Sequence, residues 1–354
     1  MRHRCIKLLF FKVYNEFMGS VIPLKKSANS AYLDLKNLLD GKIEDVEKLI
    51  YLKLQSHVGL IKKMSDYHLN SGGKRIRALL TMGAAKLGGY SNGSRDINLA
   101  ACVELIHSAT LLHDDVIDES KVRRGNKTPN SIWGNQSSIL VGDYLLSRCF
   151  EMMVEDENLE ILKLLSSTSA EISQGEVLQL QHKGEIDMLE ETYLKIISAK
   201  TASLFAAATK VGSILANKES KIKEAFEFYG KNLGLTFQIA DDTLDYNSEL
   251  KFFGKKIGND FYEGKVTLPI ILLYQKVNTN EKAELKKLFE KNERNEEEFK
   301  KVLLMIKNYN IISSCYLKAE YFINLASNSL SIFDESKEKE ILKNLTSFSL
   351  ERSY

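Results

Sequence analysis

From Leu33 onward, apolar residues return at intervals of three and four. Leu38, Leu39, Val46, Leu49, Ile50, Leu54, Val58 and Ile61 predict an amphipathic helix over Leu33–Leu69. Asn70-Ser71-Gly72-Gly73 is a strong stop. The helical period resumes over Ala78–Leu87, Ile97–His113, Ser138–Glu155, Ile161–Leu180, Leu189–Ala216 and Ile222–Leu244. Gly88–Asp96, Gly125–Gln136 and Lys251–Lys265 read as loops, and Thr267–Val277 as a helix with Pro269 in its first turn. Thr279–Lys300 is heavily charged and predicts a solvated surface helix or a flexible excursion. Val302–Leu350 predicts two or three amphipathic helices forming a structural cap. No strand alternation, repeat or linker interrupts this. The expected fold is all-α, a single large helical bundle with a central cavity over residues 25–354, preceded by an N-terminal extension over 1–24.

Composition narrows the class. The chain has 354 residues, 44% of them apolar, enough for a large core. A net charge of +2 gives no general case for nucleic acid or a membrane surface. Three prolines leave room for long helices. Four scattered cysteines without CxxC fit a reducing compartment, and a cytoplasmic location is expected. No run is long and apolar enough to span a bilayer. The basic start, MRHRCIKLLFFKVYNEF, lacks a cleavage site, so Met18 is the expected true start.

The candidate chemistry lies in His107–Arg124, HSATLLHDDVIDESKVRR. Asp114 and Asp118 are four apart, which puts them on one helix face. Like charges at that spacing disfavour a helix, so a cation is expected there. Carboxylates without a His or Cys ligand set suit a hard ion such as Mg²⁺. A lone DDxxD is more often a solvated acidic face. The stretch Phe237–Tyr246, FQIADDTLDY, repeats the design with Asp241 and Asp245. Two such patches predict two helices facing each other across a pocket that holds an anionic ligand through cations. His107 lies two turns before Asp114 on roughly the same face.

Lys74, Arg77, Arg123, Arg124, Lys200, Lys255 and Lys265 supply positive charge around this pocket. Gly72-Gly73-Lys74-Arg75 opening a helix is a plausible phosphate site, and Arg and Lys suit phosphate oxygens. There is no Walker loop, dinucleotide fingerprint or nucleophile triad. The parts therefore predict electrophilic chemistry with diphosphate as leaving group, sheltered by the small residues around Lys200-Thr201.

Together, GGKRIR, HSATLLHDDVIDES–RRG, VGDYLLSR, GEVLQL, KTASLF, FQIADDTLDY and GKKIGNDFYEGKVTLP resemble the trans-type polyprenyl diphosphate synthases, most of all the octaprenyl type. The resemblance implies the isoprenoid synthase fold, a homodimer, and condensation of isopentenyl diphosphate with an allylic diphosphate. It implies a long all-trans product for quinone side chains, passed on to membrane enzymes. Lys74, Arg77, His107 and Arg124 would hold isopentenyl diphosphate. Asp114 and Asp118, helped by Arg123, and Asp241 would bind Mg²⁺. Lys200, Thr201, Gln238 and Lys255 would contact the allylic substrate and steady its cation. Ala109 and Thr110, small where short-chain relatives carry an aromatic, would leave the product channel open, with Ile106 and Leu105 extending its wall and a floor near Phe150 or Met152. Two departures stand out: Ala78, expected to loosen a helix start, and Lys256, each where the family favours proline. Other readings remain: a terpene cyclase or head-to-head synthase of the same fold, a non-catalytic regulatory subunit, and a di-iron bundle, whose Glu-x-x-His pairs are absent from these motifs.

Overall fold

The computed structural model describes residues 28–247 and 257–348. The chain opens with α1 (Ala28–Leu38), α2 (Lys42–Lys53), α3 (Gly59–Asn70), α4 (Ile76–Leu87) and α5 (Arg95–Ile117). A two-residue ribbon follows, β1 (Val122–Arg123) and β2 (Asn126–Lys127). Next come α6 (Pro129–Trp133), α7 (Asn135–Glu155), α8 (Leu159–Gln181) and α9 (Glu190–Ile197). A π-turn, Ser198–Ala202, leads directly into α10 (Ser203–Leu215). The rest is α11 (Ser220–Asp245), α12 (Asn259–Glu263), α13 (Leu268–Lys276), α14 (Thr279–Phe289), α15 (Glu296–Asn308), α16 (Ile311–Ser329) and α17 (Lys337–Phe348). The fold is all-α, as its hydrophobic period requires, apart from the ribbon.

α10 is the axis. Its sequence is apolar on every side, and it packs against α4, α5, α8 and α11. Its one long cation, Lys210, reaches Glu227 at 2.6 Å. Two apolar cores meet here. One gathers α1–α5, α7, α8 and α10; the other gathers α9, α11 and α12–α16. Ala202 belongs to the second core and Leu204 to the first, so the π-turn sits at their junction. α11 crosses the same junction, contributing Tyr229 and Leu233 to one core and Leu235 and Ile239 to the other.

Several predicted elements differ. Leu33–Leu69 is three helices rather than one. Asp40 and Gly41 take left-handed φ of 45° and 79°, which turns the chain after α1, and residues 54–58 separate α2 from α3. Gly125–Gln136 is no plain loop but carries β2, α6 and the start of α7. Thr279–Lys300 is neither solvated throughout nor an excursion. Leu285, Leu288 and Phe289 are buried, and Asn278 and Glu281 form a reciprocal cap at the start of α14. The C-terminal helices are more than a cap, since α16 lies along α11 with Ala319, Ile323 and Ala326 buried. No described helix is long and apolar enough to cross a membrane.

Candidate active site

The first acidic motif forms the end of α5. Asp118 is its C-cap, and its N–H donates to the Asp114 carbonyl at 2.8 Å. The two acids thus stand one turn apart, as their spacing predicts. Burial pushes the Asp114 carboxyl up, opposed by the positive charge of Lys200 and aggravated by Asp118. Asp115 points the other way and is fully buried. Its Oδ1 accepts from Arg123 Nε at 2.8 Å, and its carbonyl accepts from Asn130 at 2.9 Å. Arg123 is therefore a brace on Asp115, and only part of its guanidinium remains for a diphosphate.

The two motifs converge through Lys265. Its ammonium lies 2.8 Å from Asp118 and 2.7 Å from Glu263. Burial pulls this lysine down, but Asp118, Glu263 and Asp260 more than compensate and hold it charged above its usual range. Its backbone N–H donates to the Asp260 carbonyl at 2.8 Å. Asp260, Gly258 and Asn259 in turn donate their N–H groups to the Asp245 carboxylate, at 2.8, 3.0 and 3.2 Å. Asp245 is thus the cap of α12, held beside the second motif's exposed Asp241. Among the described residues no three His, Cys, Asp or Glu side chains are grouped closely enough to hold a metal ion between them.

Between the motifs lies the π-turn. A π-turn inserts an extra residue into a helix and is a frequent mark of a functional site. Here it presents Lys200 and Thr201. α8 approaches very closely: a Cβ on Gly175 would stand 2.7 Å from the Lys200 nitrogen, so only glycine fits. That contact puts Glu176 beside the Lys200 ammonium, at 2.7 Å, with Gln179 at 2.9 Å. Burial, then the nearby Asp114, pushes Glu176 up to about 7. Thr201 Oγ1 donates to Gln238 Oε1, Gln238 Nε2 to Asp242 Oδ1, and the Tyr193 hydroxyl to Asp242 Oδ2, each at 2.7 Å. Burial pushes Asp242 up to about 7, and pushes Tyr193 well above its ordinary value. Asp242 is thus to the second motif what Asp115 is to the first, the inward-facing acid that braces its helix.

The cationic side lies across α5. The Arg77 guanidinium stacks 4.5 Å over the Phe205 ring. Burial, then the charges of Arg77 and Arg124, push His107 well below its ordinary range, so it is neutral. Arg124 and Gly125 form the two-residue turn of the ribbon, with φ of 52° and 80°. Both residues of a type I′ turn are left-handed, which explains a glycine after the paired arginines. The turn carries Arg124 to the Gly72 carbonyl, to which it donates. Lys74 is exposed, its ammonium 5.9 Å above the Tyr32 ring of α1. Ala78 does not loosen the helix start. Its N–H, which a proline would lack, donates to buried Glu104 Oε1 at 3.1 Å.

The residues expected to wall the product channel are packed in the core. Ala109 is 2% exposed, while Leu105, Ile106 and Met152 are 0%. These side chains pack against their neighbours with almost no exposed surface. Thr110 is half-buried, with its hydroxyl turned back to the His107 carbonyl at 2.8 Å. Phe150 is exposed on α7, whereas Met152 is fully buried. Lys255 and Lys256 lie outside the described residues. The sequence reading assigned no role to Glu176, Gln179, Asp242 or Tyr193. The polar face of GEVLQL beside Gly175 was the available signal for the first pair, and the doubled aspartate for Asp242.

Comparison with known proteins follows the same lines. A family model described as polyprenyl synthetase matches residues 58–306. The all-trans-nonaprenyl-diphosphate synthase (geranyl-diphosphate specific) of Rhodobacter capsulatus is 37% identical over 307 residues, 87% of this chain and 94% of that one. The octaprenyl diphosphate synthase of Haemophilus influenzae is 34% identical over 331 residues, covering 94% and 100%. A polyprenyl synthase of Caulobacter crescentus CB15, solved with calcium and isoprenyl diphosphate, superposes with a TM-score of 0.87 at 38% identity, covering 91% of this chain and 98% of that one. The matched span holds both acidic helices and everything between them, and the likeness runs nearly the full length of the solved chain: this protein belongs to the polyprenyl synthetase family and is a prenyltransferase.

Proposed function

We propose that this protein condenses isopentenyl diphosphate with an allylic diphosphate, geranyl or farnesyl, in repeated steps. Its product is a long all-trans polyprenyl diphosphate of octaprenyl length. The observation that carries this is the convergence of Asp118 and the Asp245–Asp260 turn on Lys265, with Lys200 beside Asp114. Two acid-bearing helices and two lysines then surround one space. Relatives named for nonaprenyl, octaprenyl and heptaprenyl products support a long product.

The donor set fits Mg²⁺. Carboxylates on two helices, with no histidine or cysteine among them, suit a hard, oxygen-binding ion. Lys265 on Asp118 already occupies the place of a cation. Asp114, Asp118 and Asp241 would hold the metal, which when bound supplies Lewis acidity to the leaving diphosphate. Lys200, Lys265 and the free part of Arg123 add positive charge where the diphosphate departs, joined by Lys255. Thr201 and Gln238 steady the allylic carbon as it becomes cationic. Arg77, Arg124, Lys74 and neutral His107 hold the diphosphate of isopentenyl diphosphate, placing its double bond against that carbon. The buried faces of α4, α5 and α10 exclude water, so the double bond captures the cation. The proton then passes to the released diphosphate. As the product grows it must part the packed wall at Ala109, or pass on the Thr110 side.

The homodimer also belongs to this reading. Ile139, Leu140, Phe150 and Val154 leave an exposed apolar stripe on α7, with Val177 and Leu180 exposed on α8. Buried free thiols at Cys102, Cys149 and Cys315 suit a reducing cytoplasm, where the product would be handed to membrane enzymes of quinone synthesis. The test is incubation with Mg²⁺, labelled isopentenyl diphosphate and farnesyl diphosphate, with products sized after phosphatase treatment. A ladder ending near eight isoprene units is expected; a cyclic hydrocarbon without elongated diphosphate would overturn the proposal.

A further inference from the structure

We propose that His113 is a positioning residue for the first acidic motif: its ring is pegged into α7 at Gly142, and that peg fixes the rotation of the last turn of α5, so that Asp114 and Asp118 face the site. This rests on the metal-holding role given to those two acids above and adds to it what keeps them in place.

The last turn of α5 is poorly held by its own chemistry. Asp114, Asp115 and Asp118 stand together at the negative end of the helix dipole, with no basic residue in that turn. Apolar burial does not hold it either: Leu112 is the last buried apolar residue of α5, and Ile117 is 55% exposed. Lys265 meets Asp118 at 2.8 Å, but where a cation would stand. The turn therefore depends on ties from its other faces. Successive helical side chains point about 100° apart, so His113, Asp114 and Asp115 face three directions. Asp115 is tied to Arg123 of β1. Asp114 lies near Lys200. His113 turns to α7.

There it fills a hole that only glycine leaves. A Cβ on Gly142 would press on His113 Nε2 and stand 2.6 Å from its Cδ2. Nε2 donates to the Ile139 carbonyl at 3.2 Å, with an Asp143 carboxylate oxygen 3.4 Å away. A carbonyl only accepts, so Nε2 carries the hydrogen, and the contact does not depend on the charge of the ring. Ile139, Gly142 and Asp143 are three and four residues apart on α7, which gives them one face, and α7 packs along α5. The residue that makes this contact is the immediate neighbour of Asp114. A turned last turn would carry both carboxylates off their common direction.

Three variants separate a peg from general packing. His113→Ala removes the ring and its donor. Gly142→Ala keeps the ring but expels it from the hole. His113→Gln keeps an N–H donor near the place of Nε2. The probe is Mn²⁺, its binding followed by electron paramagnetic resonance with farnesyl thiolodiphosphate present and isopentenyl diphosphate absent, so that no turnover occurs. Labelled isopentenyl diphosphate is measured separately by equilibrium binding. Groups that orient a metal ligand are commonly worth ten-fold or more in metal affinity, so His113→Ala and Gly142→Ala should bind Mn²⁺ about ten-fold more weakly. His113→Gln should stay within about three-fold of wild type, and affinity for isopentenyl diphosphate within about two-fold in all three.

Wild-type Mn²⁺ affinity in His113→Ala or in Gly142→Ala overturns the proposal. An equal loss of isopentenyl diphosphate affinity also does, because that is a loosening of the whole fold. A His113→Gln protein as weak as His113→Ala is a third contradiction. Should His113→Ala or Gly142→Ala not fold, His113→Leu fills the hole without a donor, and wild-type Mn²⁺ affinity there is equally fatal. Wild-type protein that binds no Mn²⁺ beside the analogue fails the metal-holding reading itself, and this inference with it; wild-type binding with unchanged variants fails this inference alone.

Discussion

Replacing Glu104 with leucine should loosen the isopentenyl-side loop and the fold together. Glu104 is 2% exposed and accepts the Ala78 N–H at 3.1 Å. Its other oxygen lies 3.8 Å from Arg75, whose side chain is 10% exposed. Arg75 also ties Glu47 on α2, at 3.2 Å, to the Leu69 carbonyl at the end of α3, at 3.1 Å. Leucine would orphan a buried N–H, costing about 1–3 kcal/mol. It would also leave Arg75 with a half-exposed partner, and breaking a buried pair costs about 3–5 kcal/mol in all. At roughly 2 °C per kcal/mol for a chain this long, the melting temperature should fall by about 6–10 °C. The KM for isopentenyl diphosphate should rise more than that for the allylic substrate, since the brace holds the loop before Arg77. Ala78→Pro supplies an internal check. Proline at the third helical position needs no acceptor, so adding it to Glu104→Leu should restore about 1–2 kcal/mol, while alone it should destabilise slightly. Calorimetry and steady-state kinetics decide the matter. A melting temperature within about 1 °C of wild type would refute the reasoning.

Three further outcomes follow. Thr110→Phe borders open space and should shorten the product with little loss of stability, whereas Ala109→Tyr enters packed core and should cost about 1–3 kcal/mol as well as length; unchanged product length by chromatography in both would remove the channel from this face. The folded-state pKa of Glu176, about 7, lies above its unfolded value, so its share of ligand-free stability is present below about pH 4.3 and is lost as pH rises to about 7. Ligand-free Glu176→Gln should therefore gain on wild type in melting temperature from pH 5 to 8, and a flat difference would contradict this. Leu140→Glu, on the exposed stripe of α7, should halve the mass measured by light scattering, and an unchanged mass would place the subunit contact elsewhere.

Much of the fold was legible because apolar residues at helical spacing leave little choice. The breaks were harder to see. Asp40-Gly41 is a turn dipeptide, but the helical period runs across it, and local chemistry won. The π-turn at Lys200 was not visible in the sequence, because Ser198–Ala202 contains no glycine or proline to mark a break in the helix. The acidic motifs showed which residues matter but not how they divide the work. Spacing put Asp114 with Asp118 and Asp241 with Asp245; only packing shows that Asp115 and Asp242 turn inward, and that Asp245 is occupied in capping α12. A small side chain can mean close helix packing as readily as open space, so the size of Ala109 alone did not reveal how tightly it packs.

The central claim is that the two acidic helices act on one leaving group. Single-turnover rates for Asp114→Asn, Asp241→Asn and the double variant, with wild type, close a cycle that tests it. If both acids serve one diphosphate, each single change should cost about a hundred-fold or more, and the double should fall little further. If the losses multiply in full, the motifs work independently and the shared site described above is wrong.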